Sequence, residues 1–118
     1  MSTDVYIKSG EQPRYFAFSG VNSTASIAAS AAIYKESPYS SFQVIVTGVG
    51  AVSATVAIQV SNENATGQGT KTNWITIGTI SPSGTTTATD GFTTLAPWRF
   101  VRANVTAVTG TAEVIMGV

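Results

Sequence analysis

Residues 52–61 read VSATVAIQVS, so that Val52, Ala54, Val56, Ile58 and Val60 share one side while Ser53, Thr55, Ala57, Gln59 and Ser61 share the other. A period of two sustained over this length describes a half-buried β-strand. Successive strand side chains point to opposite faces, whereas a helix repeats every 3.6 residues. The same alternation appears in SFQVIVTG, which places Phe42, Val44 and Val46 on one face.

The rest of the chain follows suit. GVGA, with Gly48 and Gly50, is expected to link the first two strands, because glycine reaches positive φ without steric cost. SNENATGQGTKTN is a polar loop carrying Gly67 and Gly69, and NWITIGTI is a strand running through Ile80. SPSG, with Pro82 and Gly84, reads as a turn, and the Thr-rich TTTATDGFTT as an edge strand or loop. WRFVRANVTAV and TAEVIMGV close the chain as two strands around Thr109-Gly110. About six strands bounded by turn signals, with no helical period, make an all-β fold. The expected architecture is a single-domain β-sandwich or jelly roll with an N-terminal extended arm.

Residues 1–36 differ from residues 37–118, which hold the core. YFAFS is a short possible strand, and STASIAASAAIY is rich in small residues. Interleaved Ser, together with Ile27 and Ile33, favours extended structure over helix there. The segment is expected either to pack as an arm on this fold or a neighbouring subunit, or to add strands to the sheet. MSTDVYIKSGEQPRYFAF has no apolar stretch of the kind a secretory signal needs, and no run approaches the roughly 20 apolar residues of a membrane span.

Composition narrows the function. Only 12 of the 118 residues are charged, six of each sign, against about a quarter in ordinary soluble domains. Thirteen Ser and eighteen Thr take their place. A near-neutral surface associates readily, which points to a protein that lives in an assembly. Net zero charge is not the footprint of a nucleic-acid binder. There is no histidine and no cysteine, so imidazole acid–base catalysis, the Ser-His-Asp triad and thiol chemistry are excluded. The acids Asp4, Glu11, Glu36, Glu63, Asp90 and Glu113 are scattered singly and do not suggest a carboxylate pair. Glu63 between Asn62 and Asn64 is the best candidate for a Ca²⁺ site, though a polar turn accounts for it more simply. The glycines of GVG and GQG do not lead into helices, so they do not form a phosphate loop. The sequons at Asn22, Asn64 and Asn104 are what a chain this rich in Ser and Thr produces by chance. No catalytic, metal or cofactor residue is expected.

What remains is contact chemistry. Trp74 and Trp98 could stack on sugars. Capping the core or filling an interface explains them better, since polar partners for sugar hydroxyls are not grouped near either. In PWRFVRANV, alternation places Trp98, Phe100, Arg102 and Asn104 on one face and Pro97, Arg99, Val101, Ala103 and Val105 on the other. The second set, from Val101 onward, is the core face. Arg99 at the mouth of the strand is expected to snorkel past the core rim. Arg102 is expected to point outward beside Trp98 and Phe100, where its planar fork either anchors a partner or forms a salt bridge to Glu113 on the following strand. Trp98, Arg99, Phe100, Arg102 and Trp74 are therefore partner-contact candidates, with Tyr6, Tyr15 and Phe16 of the arm. Unprotected strand edges add the expectation of a homo-dimer or other small homo-oligomer.

The run from Val52 to the C-terminus resembles small structural proteins of tailed bacteriophages. Those proteins show a strand ending in Ser-Asn, a Trp-containing strand, the pattern W-x-[FY]-[VI]-R-x-x-[VL], then a Gly-Thr turn and a last strand. The matching positions are Ser61-Asn62, Trp74, Trp98 to Val105, and Gly110-Thr111. The resemblance covers roughly residues 40–118, and similar patterns occur in carbohydrate-binding sandwiches and fibre domains. Length and the N-terminal segment make the chain most like capsid decoration (cement) proteins. The resemblance implies a non-enzymatic protein of the virion surface that binds the major capsid protein and bridges its neighbouring subunits. A neck, tail or fibre component and a carbohydrate-binding module are the alternatives. Neither a nucleic-acid nor a membrane partner is expected, and no cofactor.

Overall fold

A computed structural model describes residues 14–18, 22–24, 27–34, 37–63 and 73–117. All regular structure among them is β, in eight strands: β1 Tyr15–Ala17, β2 Asn22–Ser23, β3 Ile33–Tyr34, β4 Tyr39–Ser61, β5 Ile75–Ile80, β6 Ser83–Leu95, β7 Phe100–Thr109 and β8 Thr111–Gly117. They form one curled antiparallel sheet.

The sheet is built around β4. Its first half pairs with β8, from Ser41↔Gly117 to Thr47↔Thr111, and its second half with β7, from Ser53↔Thr109 to Ser61↔Phe100. On the other edge, Tyr39↔Leu95 to Thr47↔Thr87 belongs to β6, and Val56↔Ile80 to Val60↔Ile75 to β5. So β7 and β8 lie end to end along one edge of β4, and β5 and β6 lie end to end along the other. GVGA and Thr109-Gly110 are therefore not hairpin reversals between neighbouring strands, and SPSG does not turn the chain back on itself. Each is a joint within a ribbon that continues along β4.

The joints make a corner. Twenty-three residues of straight strand would reach roughly 75 Å, yet the longest dimension of the molecule is 44 Å. On the β6 side, the pairing skips from Thr47↔Thr87 to Ala51↔Thr85, so Gly48, Val49 and Gly50 stand opposite Thr86 alone. On the other side, Gly110 spans the gap between Thr47↔Thr111 and Ser53↔Thr109. Among the described residues, positive φ occurs at Gly50 (83°), Thr86 (63°) and Gly110 (107°), one in each ribbon at the same level. The three ribbons bend together there.

Bending brings the inner faces of the two halves into one core. Phe42, Val44 and Val46 from the first half join Val52, Ala54, Val56, Ile58 and Val60 from the second. Val101, Ala103, Val105, Val108, Ala112, Val114 and Met116 complete the cluster from β7 and β8. A bulge at Thr106, between Thr55↔Ala107 and Val56↔Val105, moves the inward set of β7 from odd to even positions, so that Val108 still faces the core. The halves touch directly: the Phe92 ring of β6 stacks against Phe42 at 5.3 Å and lies over Gly78 of β5, where a Cβ would come within 2.6 Å of it.

The N-terminal residues add the outermost ribbon. Tyr15↔Gly117, Asn22↔Ala112, the bridge Ala29↔Asn104 and Ile33↔Val101 place β1, β2 and β3 in turn along β8 and β7. Phe18 is buried in the core cluster. Residues 1–13, with Tyr6, lie outside the described residues.

The other edge is β6, which among the described residues pairs with β4 alone. Its Asp90 stands opposite the buried Val44, between the half-buried Ala88 and Phe92, on the core-facing side of the strand. The Asp90 carboxylate accepts the N–H of Gly91 at 2.8 Å. Asp90 is exposed, and a charge on an edge strand discourages edge-to-edge pairing, a guard that a count of charges in the sequence does not reveal. Asp90→Ala is expected to raise the average mass at a given protein concentration in sedimentation equilibrium. A profile identical to the parent's would show that Asp90 does not guard this edge.

Candidate partner-contact site

Across the outer face of the second half, three residues on neighbouring strands stand in line. Thr76 of β5 is the register partner of Gln59 of β4, and Gln59 is the partner of Arg102 of β7. Directly opposed residues share a face and lie close enough to interact. The Gln59 side-chain amide accepts a hydrogen bond from Arg102 Nε at 2.8 Å and donates to Thr76 Oγ1 at 3.3 Å. Trp74, two residues before Thr76 and on the same face, lies against the arginine. The guanidinium carbon sits 4.4 Å from the centre of its ring.

Strand alternation explains why these groups meet. Val101, Ala103 and Val105 are drawn into the core, which turns Arg102 outward. Val60 and Ile58 do the same for Gln59. A bulge in β5, where Ile58↔Gly78 is followed by Gln59↔Thr76, sets Thr76 rather than Ile77 beside Gln59. Arg102 is half-buried, and burial lowers its pKa from the ordinary arginine value. It remains a cation, because guanidinium does not deprotonate in proteins. Among the described residues its side chain hydrogen-bonds a neutral amide and lies on a neutral ring, and it forms no ion pair with a carboxylate.

The other expected contact residues are dispersed. Glu113 faces Ile45 on β8, in the other half of the sheet. The proposed Arg102–Glu113 salt bridge is therefore absent, because β7 and β8 lie end to end rather than side by side. Trp98 precedes β7, outside any strand, and packs half-buried against the core instead of standing on the outer face. Phe100 keeps the outward parity of Arg102 but is only 6% exposed, outside the core cluster. Tyr34 of β3 meets it edge-on at 5.6 Å, so the N-terminal ribbon contributes to covering it. Arg99 is exposed, and its backbone N–H donates to Asn62 Oδ1 at 2.9 Å. Tyr15 and Phe16 are exposed on β1, and Tyr6 lies outside the described residues.

The Asn62 and Glu63 side chains, candidates for a cation site, bond to the chain's own backbone. Asn62 Oδ1 accepts from Arg99, and Glu63 Oε1 accepts the backbone N–H of Asn73. Among the described residues, no three His, Cys, Asp or Glu side chains group as metal ligands.

Sequence reasoning missed Gln59 and Thr76. Both sit at outward positions of strands, but nothing local reveals that they flank one another. The exposed Tyr39 and Leu95, partners in the β4–β6 register, were missed as well. Comparison with protein families, with curated proteins and with solved structures finds no match.

Proposed function

We propose that this chain is a non-enzymatic structural protein of a virion, which binds an assembled phage capsid and bridges neighbouring major capsid subunits. In this reading the curled sheet is a β-sandwich of jelly-roll kind, its two halves forming the two layers. The observation that carries the contact role is the half-buried Arg102 on Trp74, an aromatic–arginine pair on the outer face of a sheet in a chain with few charges. Aromatic and arginine side chains are the usual anchors of protein interfaces. The virion assignment itself rests on the bacteriophage resemblance. Tyr15, Phe16, Tyr39 and Leu95 offer further exposed apolar surface on the first half. A small homo-oligomer would form through edges left uncapped, such as β5.

Stabilisation follows from mass action. A protein that binds the closed shell but not its dissociated subunits adds its binding free energy once per copy. Purified protein added to undecorated shells is expected to bind saturably and to raise the temperature at which the shells come apart. Binding to isolated tails but not to shells would move the assignment to a tail component; binding to neither would overturn the virion reading.

A carbohydrate-binding module is the second reading, because Gln59 and Thr76 do place polar groups beside Trp74. It is the weaker one, since the guanidinium already occupies a face of the indole on which a sugar would stack.

A further inference from the structure

We propose that Arg102 is the docking point for a carboxylate, an Asp or Glu side chain of a partner protein held against the guanidinium fork. The identity of the partner rests on the assembly reading above; the site does not.

Three observations converge. The first is uncompensated charge. A half-buried arginine normally gains from a nearby acid, and a glutamate at position 59 would fit the same space as glutamine. The chain instead carries Gln59, whose neutral amide orients the guanidinium without cancelling its charge. The described acids are engaged or distant: Glu63 holds Asn73, Asp90 holds Gly91, and Glu113 lies opposite Ile45. The second is preorganisation. Arginine carries five N–H donors. Gln59 takes the one on Nε, Trp74 supports the plane, and the Nη donors have no acceptor among the described residues. A paired Nη edge is the geometry that binds a carboxylate through two parallel hydrogen bonds. The third is the occupied indole. With the cation lying on Trp74, the pair presents donors rather than a bare ring, which favours an anion over a neutral sugar. Partial burial also protects the contact, because such pairs are screened by salt less than exposed ones.

The test uses the intact protein labelled with ¹⁵N. Sodium acetate and an oligoglutamate peptide serve as probes, with sodium chloride at matched ionic strength as the control. Expected are saturable shifts of the Arg102 Nε–H and Trp74 indole N–H signals, absent with chloride and reached at lower concentration with the peptide. Arg102→Lys keeps the charge but loses the fork, and should weaken peptide binding about tenfold or more. Gln59→Glu supplies an internal carboxylate. It should leave the fold intact and abolish the response to both probes.

No saturable acetate response in the parent protein overturns the proposal, as does an undiminished response in Gln59→Glu. A Trp74 shift with glucose that exceeds the shift with acetate also overturns it, in favour of a sugar site. Capsid shells separate this proposal from the virion reading. If the parent never binds shells yet answers acetate, the carboxylate site stands and the virion reading falls. If shells bind the parent and Gln59→Glu alike, the virion reading stands and the assignment of the shell as the carboxylate-bearing partner falls.

Discussion

Gly110→Ala is expected to cost about 3 kcal/mol or more of folding stability, the sum of backbone strain and a steric conflict. The φ of Gly110 is 107°, a conformation that a residue with a Cβ rarely adopts. A Cβ there would also fall 2.5 Å from the carbonyl oxygen of Thr47 and 3.2 Å from Val52 Cγ1. The carbonyl is backbone at the bend of β4, so relief requires moving the joint between β7 and β8 away from the strand both pair with. Gly50→Ala provides the control. Its φ is 83° but nothing lies within 4 Å of the added Cβ, so only the conformational cost of roughly 1–2 kcal/mol applies. At about 4 °C per kcal/mol for a domain of 118 residues, thermal unfolding separates the two variants. Equal losses in Tm would mean that close packing across the corner does not hold the bend.

Ile58→Ala should be comparably damaging, through loss of packing. Ile58 is fully buried in the second half of β4, and its register partners are Gly78 and Ala103. Truncating a buried isoleucine to alanine costs about 2–5 kcal/mol, more where the surroundings cannot close over the cavity. Partners this small have at most a methyl group to extend into the space, which places Ile58 in the upper part of that range. Against a total stability of about 5–15 kcal/mol, the variant would be close to unfolding at moderate temperature. Urea denaturation should show a lower midpoint at unchanged slope. Val49→Ala, at a fully exposed position on the corner, should shift the midpoint by no more than about 0.5 kcal/mol equivalent. A loss for Ile58→Ala as small as that for Val49→Ala would contradict the placement of Ile58 at the centre of the core.

Much of this was legible in the sequence because alternation is a local property. The side of β4 that holds Val52, Ala54, Val56, Ile58 and Val60 is the buried side, as its spelling requires, and the same holds for Phe42, Val44 and Val46. An inward Val101, Ala103 and Val105 likewise made an outward Arg102 a consequence of chain geometry. What the sequence left open was every relation between distant strands. Gly48, Gly50 and Gly110 mark places where the backbone can adopt positive φ, but the same freedom serves a hairpin reversal or a bend in a continuing ribbon. Only the tertiary structure decided for the bend, which lets the inner faces of both halves bury one another. That decision laid β7 and β8 end to end instead of side by side. It thereby removed Glu113 from the reach of Arg102 and brought Gln59, 43 positions earlier in the chain, beside it. Trp98 and Phe100, its sequence neighbours, went to the core and beneath the N-terminal ribbon, while Trp74 from another strand became its platform. Spelling sets which face a side chain takes. Which side chains share that face is set by register, and register follows from burying all the apolar positions of several strands at once.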